Sequence, residues 1–171
     1  TFETAGTYQL FHESMNQFEQ FNLDNLGANG TAQGFGIYLT PNKGMASMYA
    51  NRSKEYGYLY TVDVDLKKPA SLEERRVTEE ELSEIIDRLQ VSNDILNDYN
   101  DVEYYGEKVV KREVLAILNE NDNDVDLMNE ISNSIGDNKL TAEVFYEVGG
   151  YTHAIAENQL RQQDNVIVVF N

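Results

Sequence analysis

The feature that most constrains this chain is a change of hydrophobic period near residue 70. Upstream, the run YLYTVDVDL alternates: Tyr58, Tyr60, Val62, Val64 and Leu66 fall on one face, Thr61, Asp63 and Asp65 on the other. Such a segment is a strand with one face on a core and the other in water. From Ser71 the apolar residues recur at three and four positions instead. Leu82, Ile85, Ile86 and Leu89 form one stripe; Val110, Val114 and Ile117 a second; Leu127 or Met128, Ile131 and Ile135 a third. These are amphipathic helices. SLEE at Ser71 and TEEE at Thr78 both fit the Ser/Thr-x-x-Glu capping box. Thr141 is placed to cap a last helix, AEVFYEV, closed by Gly149. GGYTHAIA and NVIVVFN then supply two closing strands, the second too apolar for an exposed edge. Strands at both ends with helices between them predict an α+β domain whose helical stretch, residues 71–140, is inserted between strands.

The charge follows the same division. The 171 residues carry a formal charge of −17. Residues 1–70 contribute −2, residues 71–147 −14 and residues 148–171 −1. A nucleic-acid binder needs a basic face, so direct nucleic-acid binding is not expected. The acidic middle is read first as a solvated helical face and second as a docking surface for a basic protein partner. A length of 171 residues suits one domain, here 1–171. There is no cysteine, which removes disulfides, thiolate metal sites and a cysteine nucleophile. No apolar run approaches the roughly 18 residues of a membrane span, so no membrane partner is expected.

The remaining N-terminal segments are short. TYQLFHES reads as a strand, after which Ser14 is placed to cap MNQFEQF, a short helix or turn with Met15, Phe18 and Phe21 or Asn22 at helical spacing. LGANGTAQGFG is a flexible loop. The strand GFGIYL follows, with glycines that call for close backbone approach. Thr40-Pro41 starts a helix running to about Arg52.

Several chemistries are excluded by pattern. The two histidines, His12 and His153, have no acidic residue at a zinc-ligand spacing, and a structural or surface role is the default for each. Asp122, Asp124 and Asp126 alternate as in a calcium loop, but Leu127 stands where the turn glycine belongs and Asn133 where the bidentate Glu belongs. No metal site is expected. There is neither a Walker-type phosphate loop nor a nucleophile elbow.

What remains is an ordered set. Phe11-His12-Glu13-Ser14, then Gly36-Ile37-Tyr38-Leu39-Thr40, then Tyr49 with ten residues between it and Tyr38, resemble the signature of ADP-ribosyltransferases of the histidine-tyrosine-glutamate type, the diphtheria-toxin and PARP branch. Gly150-Tyr151-Thr152-His153-Ala154-Ile155 and Ile167-Val168-Val169-Phe170 are similar to the closing turn and strand of compact ADP-ribosyltransferase domains in phage polyvalent proteins. The likeness covers residues 8–66 and 141–171. It implies a split, mostly antiparallel two-sheet sandwich core with the acidic helices inserted, NAD as substrate, a protein acceptor, and a phage or bacterial conflict setting in the host cytoplasm.

The resemblance also assigns roles. Tyr38 and Tyr49 become the walls between which nicotinamide stacks. His12 meets a hydroxyl of the adenosine ribose, Ser14 lies beside the nicotinamide ribose, and the backbone at Glu13 takes the carboxamide. Gly36 joins this cofactor-binding set, and the glycines of the preceding loop admit the pyrophosphate. Two positions depart from the family pattern. Glu13 stands where Gly is common after the His, and alignment on the last strand puts Val166 at the catalytic Glu/Gln position. Asp164 is the preferred anionic substitute, with Asn165 and Gln163 also in reach.

Overall fold

The computed structural model describes residues 2–14, 35–44, 58–89, 107–156 and 166–170. MNQFEQF, most of the glycine-rich loop, residues 45–52 of the helix expected after Thr40, with Tyr49, and Gln163, Asp164 and Asn165 lie outside the described residues. The architecture is mixed, with four described helices and two small sheets. The chain divides into two compact units, Thr1–Pro69 with Thr152–Asn171, and Ala70–Tyr151. No described helix is long and apolar enough to cross a membrane.

The described residues of the first unit are mainly strands. β1 (Gly6–Ser14) pairs antiparallel with β3 (Tyr58–Leu66) along their whole length, from Gly6 opposite Leu66 to Ser14 opposite Tyr58. β2 (Ile37–Leu39), β4 (Lys68–Ala70), β5 (Tyr151–Ala156) and β6 (Val166–Val169) form the second sheet in the order β2-β6-β5-β4. β6 runs antiparallel to both neighbours, with Tyr38 and Ala154 flanking Val168. Ile167, Val168 and Val169 are all buried, the central position the apolar run predicts. The chain changes sheets at Lys67, where the Thr152 hydroxyl accepts the N–H groups of Lys67 at 3.0 Å and Lys68 at 3.3 Å. A hydroxyl thus satisfies two backbone donors at the crossover.

The core of this unit collects Leu10 from β1, Leu39 from β2, Leu66 from β3, Ile167 and Val169 from β6, and Phe2 from ahead of β1. Val62 and Val64 pack against it from β3, while Thr61, Asp63 and Asp65 are exposed. The expected two-faced strand is therefore present, and its burial fades toward Tyr58, which is 45% exposed.

The helical unit holds α1 (Glu79–Leu89), α2 (Glu107–Leu118), α3 (Asp124–Ile135) and α4 (Asn138–Gly149). TEEE is a true capping box: Thr78 Oγ1 accepts the Glu81 N–H at 3.1 Å and the Glu81 carboxylate accepts the Thr78 N–H at 3.3 Å. All four residues of its predicted stripe, Leu82, Ile85, Ile86 and Leu89, are buried. In α2 Val114 and Leu118 are buried and Ile117 is half-buried, while the Val110 side chain lies outside the described residues. In α3 both Leu127 and Met128 are buried, with Ile131.

SLEE does not start a helix. Ser71 Oγ does accept the N–H groups of Glu73 and Glu74, but the segment then turns around a buried carboxylate instead of winding on. Asp124, fully buried, accepts the N–H groups of Ser71 at 2.8 Å, Arg76 at 2.8 Å and Val77 at 2.9 Å. The aspartate of the calcium-like run is spent on backbone donors, a favourable set for an ionised carboxylate. The last helix begins earlier than Thr141. Gly136, at φ 71°, ends α3, and Asp137 immediately caps α4 by accepting the Leu140 N–H. Thr141 lies inside the helix, its hydroxyl donating to the Asp137 carbonyl. At the other end the left-handed residue is Gly150, at φ 73°. Gly149 is the last helical residue, and a Cβ there would overlap the Tyr151 ring and the Glu81 carboxylate.

Candidate functional site

β1 and β2 belong to different sheets but meet at one point. Phe11 and Thr40 exchange both backbone hydrogen bonds, Phe11 N–H to Thr40 C=O at 2.8 Å and the reverse at 3.0 Å. This bridge brings the residue after Phe11 beside the strand that ends at Thr40. His12 Nδ1 consequently lies 2.7 Å from the Tyr38 carbonyl. A carbonyl only accepts, so Nδ1 carries the proton and donates, and Nε2 is the acceptor nitrogen of the neutral ring. His12 and Tyr38, separated by 26 positions in sequence, are thus coupled through one residue's backbone.

Both residues are half-buried. Tyr38 sits at the centre of β2, held on one side by pairing with Val168. Its neighbours Ile37 and Leu39 lie against the core, so the alternation of the strand sends the Tyr38 side chain to the opposite face. Glu13 and Ser14 close β1 opposite Leu59 and Tyr58. Four of the expected residues, His12, Glu13, Ser14 and Tyr38, therefore gather where β1 and β2 approach. Tyr49 and Asp164 lie outside the described residues.

Gly36 is buried just ahead of β2. A Cβ built on it would overlap the Val169 carbonyl. The glycine-rich strand does require close backbone approach, and the backbone that approaches Gly36 is the chain's own last strand. Val166 is the first residue of β6, opposite Ala156. Among the described residues no group of three or more His, Asp or Glu side chains is arranged to hold a metal ion.

Two buried polar residues were not distinguishable in sequence from ordinary ones. His153 is fully buried, with both ring nitrogens within hydrogen-bond distance of oxygen atoms. Tyr151 is fully buried too; its hydroxyl donates to Glu81 at 3.3 Å, and burial followed by the nearby Glu81 charge raises its pKa well above the usual phenol value. A lone His or Tyr in a strand gives no sign of partners so distant in the chain.

Formal charge is uneven between the units. The strand unit carries 9 acidic and 6 basic residues, the helical unit 21 and 7. A ligand with anionic phosphates is therefore better tolerated by the unit that holds His12 and Tyr38.

Comparison with known proteins gives one result. A family model described as "ADP-Ribosyltransferase in polyvalent proteins" matches residues 6–171. No curated protein and no solved structure matches the chain.

Proposed function

We propose that this chain, which belongs to the family of ADP-ribosyltransferases in polyvalent proteins, transfers ADP-ribose from NAD to a protein acceptor. The observation that carries the reading is the coupling of His12 to Tyr38 across two sheets. In it, the Tyr38 ring forms one wall of a nicotinamide slot and Tyr49 the other. Each stacking contact supplies about 0.5 to 1.5 kcal/mol, enough to place the ring. His12, fixed by its Nδ1–H bond, offers Nε2 to a hydroxyl of the adenosine ribose. The end of β1 completes the set, with Ser14 beside the nicotinamide ribose and the Glu13 backbone toward the carboxamide.

The bond that breaks joins nicotinamide to C1′ of its ribose, and nicotinamide leaves with the electron pair. Positive charge develops on the ribose ring; the acceptor's nucleophilic atom then bonds to C1′ and gives up its proton. An anion near that ring lowers the barrier. Val166, at the head of β6, has no polar side-chain atom to offer, and Asp164, two residues ahead of the strand, takes that role in this reading. The setting is the bacterial cytoplasm during phage or bacterial conflict.

A second reading is favoured by Val166 itself: a domain that has kept the fold and lost the chemistry, docking a basic partner through its acidic helices. A transfer assay separates the two. Purified protein, labelled NAD and a bacterial lysate are combined, beside Tyr38→Ala and His12→Ala variants that retain the parent's circular dichroism. Label on a discrete band, lost in both variants, is expected. Full labelling by both variants removes the site. No label, together with partner binding that weakens steeply as salt rises, establishes the second reading. Nicotinamide release by the protein alone marks NAD hydrolysis.

A further inference from the structure

We infer that His153 is an acid-sensitive latch: its neutral ring clamps the N-terminal segment onto the core of the strand unit, and a second proton on the ring releases it. The inference rests on bonding geometry and does not depend on NAD. His153 Nε2 lies 2.8 Å from the Phe2 carbonyl. That carbonyl can only accept, so Nε2 bears the hydrogen and Nδ1 is left as an acceptor. The Thr152 hydroxyl is 2.7 Å from Nδ1 and donates to it. The same oxygen accepts the N–H groups of Lys67 and Lys68, which occupy its two lone pairs; the alternative acceptor for its proton, the Lys68 carbonyl, is farther away at 3.3 Å. Three segments distant in sequence, residue 2, the crossover at Lys67 and β5, are thereby joined through one imidazole.

A proton on Nδ1 breaks this chain. It turns an acceptor into a donor facing an oxygen whose lone pairs are already used, and it puts a charge where the side chain is fully buried. The charged residues on the elements around the ring are Glu3 ahead of β1 and Lys67 and Lys68 at the crossover; β6, opposite His153 at Val169, carries none among its described residues. Burial lowers the imidazole pKa, and the Phe2 bond and the Glu3 charge oppose it without reversing it. The released segment binds more protons than the latched one once pH falls below the ordinary imidazole value of about 6.5. The latch is thus at full strength above that pH and weakens as pH drops toward the lowered native value.

What the latch holds is structural. Phe2 is buried in the cluster with Leu10 and Leu39. Its ring meets Tyr8 edge-on at 5.2 Å, and the Tyr8 hydroxyl closes the turn by donating to the Thr4 carbonyl. Withdrawing Phe2 uncovers Leu10 and Leu39, each close in sequence to a residue of the His12–Tyr38 junction.

Hydrogen exchange followed by mass spectrometry on the whole chain tests this, at pH 7.5 and 5.5 with intrinsic rates corrected. Peptides covering residues 2–10 are expected to exchange faster at pH 5.5 by up to about tenfold, the factor by which an ordinary imidazole favours its protonated form one unit below its pKa. Peptides from α3 and α4 should not change. His153→Gln, whose amide donates to the Phe2 carbonyl at either pH, should abolish the difference. If that variant does not fold, nitrogen NMR of the wild-type rings decides: the buried imidazole should keep its proton on Nε2 alone at pH 6. Equal N-terminal exchange at both pH values, an unchanged difference in His153→Gln, or a buried ring that titrates near 6.5 would each overturn the inference.

Discussion

At Gly36 one hydrogen in place of a side chain decides whether β2 can lie against β6. The sequence GFG announces a need for close approach but not what approaches, because the Val169 carbonyl comes from the opposite end of the chain. Since the obstacle is backbone, it cannot rotate away. Gly36→Ala is expected to destabilise the protein by about 1 to 3 kcal/mol, the range for forced overpacking, as measured by guanidinium unfolding, and to weaken NAD binding by displacing Tyr38. A variant of unchanged stability would mean that β2 and β6 are less closely apposed. His12 and Tyr38 were singled out by their place in a motif, yet their hydrogen bond was not legible: it follows from the Phe11–Thr40 bridge between strands that no local pattern joins.

At the level of elements, local signals succeeded where nothing distant competed with them. α1 has its capping box and its apolar stripe where the spacing puts them, since the box joins residues three positions apart and the stripe repeats at three and four positions. SLEE carries the same four-residue signal and fails, because Asp124, some fifty residues later, takes the N–H groups of Arg76 and Val77, which a continuing helix would return to the carbonyls of Leu72 and Glu73. Thr141 misled in a similar way. Gly136 and Asp137 turn the chain four residues earlier, and a cap follows from where the turn occurs. Asp124→Asn tests the organising role of that carboxylate. One oxygen becomes an NH₂ that must face backbone donors, so a loss of about 3 kcal/mol in unfolding free energy is expected. A loss under about 0.5 kcal/mol would show that the 71–77 segment holds its shape without it.

For the whole molecule, the second compact unit runs from Ala70 to Tyr151, and the hydrophobic period of the sequence changes near residue 70. The charge divides with the units, and the strand unit, with 9 acidic and 6 basic residues, is where NAD is proposed to bind. The central claim is that the junction of β1 and β2 in that unit is a nucleotide site, and titration calorimetry with NAD tests it without requiring an acceptor. The account predicts saturable binding at one site, weakened about 2- to 10-fold in Tyr38→Ala by loss of one stacking wall. Absence of binding at millimolar NAD by the folded wild-type protein, or equal affinity in the variant, would contradict it.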